Sequence, residues 1–383
     1  MLPVFLRLNE IEMNINIVVR NIKSSEAEEI YILVTPLKNI PVDELWKEIF
    51  TGIRDTLISC EANIIQERIF GTKDALEIAS KERQAQFSGI DDKVAPSFLV
   101  CNEGLMGPVS GVQIHAIKCN VKPEVINFLN QPCGRIVEIP GRTYLAMSNI
   151  SATSNNNLEQ QAKAMLEKAE VILQNFGADF SDVPRTWMWL GDILTWYDSF
   201  NQVRNKFFAE RGLINEEGKQ VLPASTGIGL SSLDNGNCAM DLIAVIEPSK
   251  PIEYLLSTER QYSAFEYGSA FSRASVAVTP GAKTVYVSGT ASIDLDGQTT
   301  NIDDPLGQIN ETVLNVRSVL KDVNCQDEDI IQAVAYCKTP EVEKIFNSIK
   351  TDLNWPCLSV ICDICRPELL FEIEATALVP SES

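Results

Sequence analysis

The sequence predicts an α+β protein built from three related units that close into a pseudo-threefold ring, with the sheets facing inward and the helices facing outward. Three observations lead to this fold class. The 383 residues exceed the size of one ordinary domain. An order of strand, helix and strand recurs along the chain. Each recurring unit would leave one sheet face uncovered, and three copies can bury those faces against one another.

The repeat is clearest in the middle and C-terminal parts of the chain. Residues 142–148 read as an apolar strand, and a helix with apolar residues at helical spacing follows from about Leu158. Residues 284–330 repeat this order of strand, turn and amphipathic helix. In both copies a further apolar strand follows the helix, beginning at Arg185 and at Ala333. The agreement in order as well as in type indicates a repeated unit.

The N-terminal part carries a more degenerate copy. A strand is expected over residues 30–35, a helix with apolar residues between Leu45 and Leu57, and a second strand over residues 64–70. Residues 112–117 form its closing strand. The three expected units are residues 1–130, 131–255 and 256–383.

The closing strands of the three units can be aligned by their apolar residues. This alignment places Gln113, Asp241 and Glu372 at one position. Only the second and third units therefore carry an acid there.

Charge and hydropathy limit the partners of the chain. It carries 32 basic against 52 acidic residues, a formal charge of −20, which repels the phosphate backbone of nucleic acids. No apolar run approaches the roughly 18 residues of a membrane span, and no leader opens the sequence. We expect a cytoplasmic protein that binds neither nucleic acid nor membrane. A small anionic ligand would need isolated arginines in apolar surroundings.

The cysteines and the single histidine argue against a metal, a cofactor or a serine-type triad. The ten cysteines are scattered, many within apolar strands, and read as reduced core thiols. Cys357, Cys362 and Cys365 have a spacing seen in some iron–sulfur proteins, but a fourth ligand is missing. One histidine, His115, cannot supply a histidine-rich site. We expect no metal and no cofactor.

Glu372 is the catalytic candidate. Residues 358–380 read as two apolar strands paired around the turn at Arg366-Pro367, and Glu372 is set into their otherwise hydrophobic edge. Burial disfavours the charged carboxylate and raises its pKa, which suits a general acid or base. The same turn brings Cys365 near Glu372. The alternatives are an exposed or capped glutamate at a strand edge and a thiol that only packs.

One predicted helix and one turn supply candidate anion anchors. Tyr197, Asn201 and Arg204 share a helix face, where the guanidinium can grip a carboxylate in a two-point fork. The alternative is a surface arginine paired with Glu210 or Asp198.

Ser225, Thr226 and Gly227 follow a proline and open a strand. Their amides and hydroxyls can cradle an anion, or simply make a turn.

Several of these residues belong to motifs of a known family. The C-terminal unit resembles the RidA/YjgF family, whose members carry Ser-Gly in a strand, a Gln before the helix and a closing Ile-Glu-x-Glu-Ala strand. The matching residues here are Ser288, Gly289, Gln308 and residues 372–375. The resemblance covers nearly all of the third unit, is good in the second and is faint in the first.

The sequence also resembles the chorismatases, which have the same fold with fused units. The motifs that carry this resemblance are residues 197–204, 222–229 and 271–274. It implies hydrolysis or elimination of the enolpyruvyl group of chorismate. The products would be pyruvate with either a dihydroxycyclohexadiene carboxylate or 3-hydroxybenzoate.

The resemblance implies roles for individual residues. Phe271 would cover the substrate, and Arg273 would hold its second carboxylate. Cys365 matches a cysteine of the chorismatases that form 3-hydroxybenzoate. Arg142 and Arg366 are reserve candidates for the carboxylates.

Two other functions remain open at this point. A catalytically silent protein that binds small molecules can use the same scaffold. A 2-imino acid deaminase is the other, but those enzymes carry an arginine shortly after the proline of the penultimate strand, and residues 223–226 and 356–359 have none. We expect a pseudo-trimeric monomer or a higher homo-oligomer.

Overall fold

The computed structural model describes residues 14–152, 157–214, 220–233, 236–246 and 251–380. In these residues the chain forms six α-helices and three six-stranded sheets. The predicted α+β fold of three related units is confirmed.

The first sheet contains the N-terminal elements and one short strand from later in the chain. Its strand order is β1-β2-β5-β3-β4-β11. The elements of this part are β1 (Ile15–Lys23), β2 (Ala27–Pro36), α1 (Val42–Cys60), β3 (Asn63–Gly71), α2 (Lys73–Gln86), β4 (Ser97–Val100) and β5 (Val109–Cys119).

The second sheet has the strand order β10-β9-β12-β8-β7-β6. The elements of this part are β6 (Glu124–Phe128), β7 (Gln131–Ile139), β8 (Arg142–Ser151), α3 (Leu158–Gln174), β9 (Arg185–Leu190), α4 (Tyr197–Glu210), β10 (Ala224–Ile228), β11 (Ser231–Ser232) and β12 (Cys238–Ile246). The strand β11 leaves this sheet and pairs with β4 of the first.

The third sheet has the strand order β13-β14-β15-β18-β16-β17. Its part of the chain contains β13 (Glu253–Leu255), β14 (Ala274–Val278), β15 (Lys283–Ala291), α5 (Pro305–Asp322), β16 (Ile330–Cys337), α6 (Pro340–Leu353), β17 (Cys357–Ile361) and β18 (Phe371–Leu378). The unit boundaries at residues 130 and 255 stay predictions.

The arrangement of the sheets follows from where the apolar residues pack. Each pair of helices packs on one face of its own sheet, as α5 does through Val313 and Val316. The other faces of all three sheets meet in one central core, which includes Leu33, Trp187 and Tyr286 and contains no residue of the six helices. The sheets therefore face inward and the helices outward, as the pattern predicted.

The predicted pairing of the last two strands is wrong. β17 lies beside β16 in parallel, whereas β18 lies between β15 and β16 and is antiparallel to both. The reason is α6, whose crossover returns the chain to the same end of the sheet and makes β17 parallel to β16. Glu372 therefore lies on a central strand and not in a terminal hairpin.

The predicted alignment of Asp241 with Glu372 is also wrong, by two residues. In the second sheet two residues of β8, Ser148 and Asn149, form a bulge opposite Asp241. In the third sheet Ser288 and Gly289 form the same bulge, but opposite Glu374. Asp241 thus corresponds to Glu374, and the residue that corresponds to Glu372 is Ala239.

Membrane insertion of a helix finds no support in the described part of the chain. None of its helices combines the length and the apolarity needed to cross a bilayer.

Candidate functional site

A cavity lies where the second and third sheets meet. Elements α4 and β10 form one wall, and β15, β18 and the segment before β14 form the other. Its volume is about 50 Å³, room for about three or four water molecules. Its lining residues are Tyr197, Arg204, Ser225, Gly227, Tyr267, Ser269, Phe271, Arg273, Gly289, Ala291, Ile293, Cys365, Arg366, Leu369 and Glu372.

Backbone and hydroxyl contacts join the two walls of the cavity. The Ser225 amide donates to Ser288 Oγ at 2.8 Å, and that hydroxyl donates to the Ser272 carbonyl at 2.6 Å. Ala224 and Ser272 form a parallel β-bridge beside these bonds. The relative position of the two sheets is thus fixed at the floor of the cavity.

Glu372 is a buried acid without a counter-charge. Its side chain lies on β18 and only 4% of the residue is exposed. No residue of the described chain donates a hydrogen bond to its carboxylate or forms an ion pair with it. Burial, reinforced by the negative charge of Glu374 and opposed by Arg185, raises its pKa to about 8. The carboxyl group is therefore largely protonated at neutral pH.

The glycine of the β-bulge gives this carboxyl group its space. A Cβ atom built on Gly289 would overlap Glu372 Oε1. The same atom would lie 3.3 Å from Thr226 Cγ2. The absence of a side chain at Gly289 therefore lets the acid turn into the cavity.

Arg204 is buried and forms no ion pair with a carboxylate in the part of the chain that the structure describes. It is 1% exposed, and its Nη2 donates to Asn201 Oδ1 at 2.6 Å. Its Nε has no hydrogen-bond partner in the described structure, and the Tyr197 side chain lies near it. The alternative of a surface arginine paired with Glu210 or Asp198 is therefore wrong. A buried guanidinium with an unused donor suits an anion.

Two further arginines face the cavity, separated by aromatic rings. Arg273 is 1% exposed, and its Nε and Nη2 both donate to the Tyr262 carbonyl. Arg366 Nη1 donates to the Gly297 carbonyl at 2.6 Å. Neither forms an ion pair with a described carboxylate.

The rings alternate with the guanidinium groups. Phe271 lies 5.6 Å from Arg204 Cζ and 5.8 Å from Arg273 Cζ. Tyr267 lies 5.4 Å from Arg273 Cζ and 5.5 Å from Arg366 Cζ. Cation–π contacts of this kind partly offset the cost of placing three like charges around one cavity, where Arg204 and Arg273 are buried. The cavity is a cationic site in a chain whose formal charge is −20.

The hydroxyl and thiol groups of the cavity are neutral. Burial raises the pKa of Tyr197 above its ordinary value. Burial, with the nearby Glu372 as the next cause, raises the pKa of Cys365 to about 12. Cys365 is therefore a thiol and not a thiolate at neutral pH.

Eight of the ten site residues expected from the sequence line this one cavity. They are Glu372, Cys365, Tyr197, Arg204, Ser225, Gly227, Phe271 and Arg273. Asn201 and Thr226 lie behind it, and each contacts an arginine: Asn201 accepts from Arg204, and Thr226 Oγ1 accepts from Arg185 Nη2 at 2.6 Å. Of the reserve candidates, Arg366 faces the cavity, whereas Arg142 donates to the Thr279 carbonyl.

Sequence reasoning missed part of the lining. Tyr267 is the last residue of a short 3-10 helix, and Ser269 lies in the irregular segment after it, so no periodic pattern marks the direction of their side chains. Gln308, chosen by resemblance, does not line the cavity. Its side chain fixes the loop after Arg366, because Nε2 donates to the Glu368 carbonyl and Oε1 accepts from the Leu370 amide, both at 2.8 Å.

The interface between the first and second sheets has paired charges. Asp241 accepts from Arg68 Nε at 2.8 Å, from Ser97 Oγ at 2.6 Å and from the Asn149 amide at 2.8 Å. Both carboxylate oxygens of Asp241 thus accept hydrogen bonds. Ala239 takes the place that Glu372 has in the third sheet.

The interface between the third and first sheets has a larger cavity, about 330 Å³. Its buried acid is Glu343, whose oxygens accept from Ser359 Oγ at 2.6 Å and from the Leu105 amide at 2.8 Å. This acid is also satisfied. Among these interface acids, Glu372 is the one without a hydrogen-bond donor in the described structure.

Comparison with known proteins gives one family model and several structures. Residues 265–379 match the family described as Endoribonuclease L-PSP. A crystal structure of a chorismatase matches with a TM-score of 0.60 and 16% identity, covering 82% of this chain and 93% of that one. This likeness shows a shared fold. A search of curated proteins found no match.

Smaller proteins of the YjgF family match about one unit each. One from Neisseria meningitidis covers 34% of this chain and 97% of its own, with 16% identity and a TM-score of 0.27. One from Mycobacterium tuberculosis covers 33% of this chain and 99% of its own, with 22% identity and a TM-score of 0.26. The family match and the chorismatase fold confirm the resemblance predicted from the sequence.

Proposed function

We propose that this chain removes the enolpyruvyl group of chorismate in the cavity between the second and third sheets. One observation carries the proposal: a buried acid, Glu372, shares a small cavity with three arginines, and none of the four forms an ion pair within the described residues. The similarity to a chorismatase supports it.

The arginines match the charge of the substrate. Chorismate is a dianion, so both of its carboxylates need cationic or hydroxyl partners. Arg204, with the Tyr197 hydroxyl, would hold one carboxylate. Arg273 and Arg366 face the cavity from the other wall and would hold the second. Phe271, between Arg204 and Arg273, would cover the ring.

Glu372 would supply the proton that starts the reaction. Its carboxyl proton would go to the methylene carbon of the enol ether, which leaves an oxocarbenium ion. Water would add to this cation, give its proton back to the Glu372 carboxylate and form a hemiketal. Collapse of the hemiketal breaks its bond to the ring oxygen, and the proton of the hemiketal hydroxyl passes to that oxygen. The products are pyruvate and the dihydroxycyclohexadiene carboxylate, with one water consumed.

The alternative product is 3-hydroxybenzoate, formed with pyruvate by elimination and without net consumption of water. Cys365 lies at the cavity in the position that the resemblance associates with this branch. As a neutral thiol it would act as a weak hydrogen-bond donor. Neither route needs a cofactor.

The cavity must open to admit this substrate. Its 50 Å³ volume is far smaller than chorismate. Tyr267 and Arg366 are partly exposed, and their contacts with one another and with the turn at Gly297 close the cavity on that side. We expect these two side chains to move when the ligand binds.

The test is to incubate the protein with chorismate and follow its consumption by chromatography together with the release of pyruvate. Glu372→Gln should lower turnover by about 10²- to 10⁴-fold, the usual contribution of a general acid. Glu341→Gln, at an exposed site in the first turn of α6, is the control and should keep full activity.

Failure would point to one of the other functions. Saturable binding of chorismate without turnover, equal in the parent and in Glu372→Gln, would favour a binding protein. Release of ammonia from enzymatically generated 2-aminoacrylate, without chorismate turnover, would favour a deaminase.

A further inference from the structure

A second buried acid lies beside Glu372 on the same strand. Glu374 is two residues further along β18, so both side chains leave the same face of the sheet. Glu374 is 5% exposed, and the bulge at Ser288 and Gly289 lies opposite it. The two acids differ in their partners, because Glu374 has strong donors and Glu372 has none in the described structure.

Glu374 is held by the second sheet. Arg185 Nη2, from β9, donates to Glu374 Oε2 at 2.8 Å, and Trp187 Nε1 donates to Oε1 at 2.9 Å. Arg185 Cζ lies 4.5 Å from the Trp187 ring. Both charges are buried, so this ion pair is little screened by water.

Thr226 separates Arg185 from the cavity. The Arg185 Nη2 that bonds Glu374 also donates to Thr226 Oγ1 at 2.6 Å, while Thr226 Cγ2 faces the space beside Gly289 that the Glu372 carboxyl group fills. Arg185 Nη1 is buried and has no partner in the described structure. Arg185, which keeps one unused donor, thus lies one side chain away from an acid that lacks one.

One guanidinium cannot neutralise two neighbouring carboxylates equally. Where two acids compete for one cation, the acid that wins the ion pair stays charged and the other favours its protonated form. Here Glu374 has the ion pair and the tryptophan bond. Its negative charge then adds to the cost of ionising Glu372.

We propose that the Arg185–Glu374 ion pair is a positioning device that withholds Arg185 from Glu372 and so keeps Glu372 in its neutral, proton-donating form. This inference rests on the proposed role of Glu372 as the general acid. It gives the second acid of the closing strand a task in the reaction, although Glu374 does not line the cavity.

Other groups also face Glu372. Burial raises the pKa of the neighbouring Tyr197, Cys362 and Cys365 above their ordinary values, so all three are neutral at pH 7. Arg204, Arg273 and Arg366 line the same cavity but form no bond with Glu372. Arg185 and Glu374 are the charged groups packed directly behind the carboxyl group.

The test uses Glu374→Gln, which keeps the shape of the side chain and removes its charge. Arg185 then has no counter-charge, and its field should favour the ionised form of Glu372. The titration of Glu372 is followed by infrared difference spectroscopy of the carboxyl band, with Glu372→Gln as the reference. We expect its midpoint, and the basic limb of the activity profile, to fall by about one pH unit or more.

A double variant, Arg185→Met with Glu374→Gln, removes both charges and should return the midpoint close to that of the parent. A midpoint that does not move in folded Glu374→Gln would overturn the proposal. A midpoint in the double variant equal to that of Glu374→Gln would also overturn it.

A matched control comes from the other sheet interface. Asp241→Asn removes the corresponding acid and leaves Arg68 without its partner. It should destabilise the fold and move the Glu372 midpoint less than Glu374→Gln does, because the Trp187 ring lies between Arg68 and the Arg185–Glu374 pair. An equal shift in this control would show that loosening of the fold, and not the local charge, is responsible.

A second variant covers the event that Glu374→Gln does not fold. Thr226→Val is nearly isosteric and removes one of the two acceptors of Arg185 Nη2. It should lower the midpoint in the same direction by a smaller amount, and an unchanged midpoint there would overturn the proposal. The infrared readout needs no turnover, so a failure of the proposed chorismate reaction remains distinguishable from a failure of this inference.

Discussion

Two interfaces of this molecule use the same strand geometry but treat their charges differently. Between the first and second sheets, Asp241 lies opposite a β-bulge and pairs with Arg68, whose guanidinium also lies 3.6 Å from the Trp187 ring. Between the second and third sheets, Glu374 repeats this arrangement with Arg185. The second interface alone adds a further acid, Glu372, where the first has Ala239.

The comparison distinguishes charged residues that stabilise the fold from charged residues that are available for binding and catalysis. Paired charges at both interfaces lock one sheet against the next. The additional acid and the three arginines of the cavity have no ion-pair partner in the described structure, which costs free energy unless a ligand supplies the partner. Substitutions in the paired set should therefore affect stability, and substitutions in the unpaired set should affect binding and turnover.

The largest effect on stability is expected from Arg68→Met. It leaves Asp241 buried without its cation, which typically costs about 3–5 kcal/mol. Denaturant unfolding measures the loss. Activity per folded molecule should be retained, because Arg68 does not line the cavity. An activity loss as great as the stability loss would break the comparison.

Arg204→Met should have the opposite profile. Removal of the guanidinium takes away a two-point contact with a carboxylate, and we expect kcat/KM for chorismate to fall by about 10²-fold or more. Stability should change little or rise, since a buried charge without a carboxylate partner is removed. Steady-state kinetics and thermal unfolding of the same preparation give both quantities. Strong destabilisation with normal kinetics would place Arg204 among the structural charges.

The pH dependence of stability sharpens the contrast between the two kinds of acid. The pKa of Glu372 is about 8 in the folded state against an ordinary value of 4.5. Between these pH values the folded protein holds a proton that the unfolded chain has lost. The stabilising contribution is therefore complete below about pH 4.5 and is lost as the pH rises through about 8.

Glu372→Gln removes this dependence. Between about pH 4.5 and 8, the difference in unfolding free energy between parent and variant should change by about 1.4 kcal/mol per pH unit. The parent becomes less stable relative to the variant as the pH rises. Chemical denaturation at several pH values measures it. A difference that stays constant with pH would contradict the protonated state of Glu372.

Gly289→Ala tests the space that the bulge gives to Glu372. The added methyl group would overlap the carboxylate oxygen, and we expect stability to fall by about 1–3 kcal/mol and turnover to fall by about tenfold or more. Gly227→Ala adds a methyl group to the opposite wall of the cavity, 3.3 Å from Tyr197 Cε2, where a small shift accommodates it. Equal effects of the two substitutions would show that Glu372 does not depend on Gly289.

The smallest effect is expected from Cys365→Ala. The pKa of this thiol is about 12, so no thiolate is present to act as a nucleophile at neutral pH. Consumption of chorismate should stay within about tenfold of the parent, while the ratio of the two products is measured by chromatography. Loss of all turnover would give Cys365 a larger part in the chemistry than its protonation state allows.

Most of the fold could be predicted from the sequence because helix and strand periodicity is a local property. The helices α1, α3 and α5 and the strands around them follow directly from it. The order of β17 and β18 could not be predicted, because pairing depends on the crossover of α6 and not on sequence neighbours.

The candidate site likewise has a part that could be predicted from the sequence and a part that could not. Successive residues of a strand point to opposite faces, so Thr226 lies behind the cavity while Ser225 and Gly227 line it. The hypothesis that all three residues cradle an anion did not take this alternation into account. The relation of Asp241 to Glu374 depends on a β-bulge that adds one residue to β8 and to β15. Bulges leave little trace in a single sequence, and an alignment by apolar residues passes over them.

The central claim is that Glu372 holds its proton at neutral pH in a cavity that provides cations for the substrate but no donor for the acid itself. Infrared difference spectroscopy of the parent against Glu372→Gln tests this most directly, by following the protonated carboxyl band between pH 4 and 10. The account predicts a band that persists at pH 7 and disappears with a midpoint near 8. A band already lost by pH 6, with a midpoint near the ordinary value of 4.5, would contradict it.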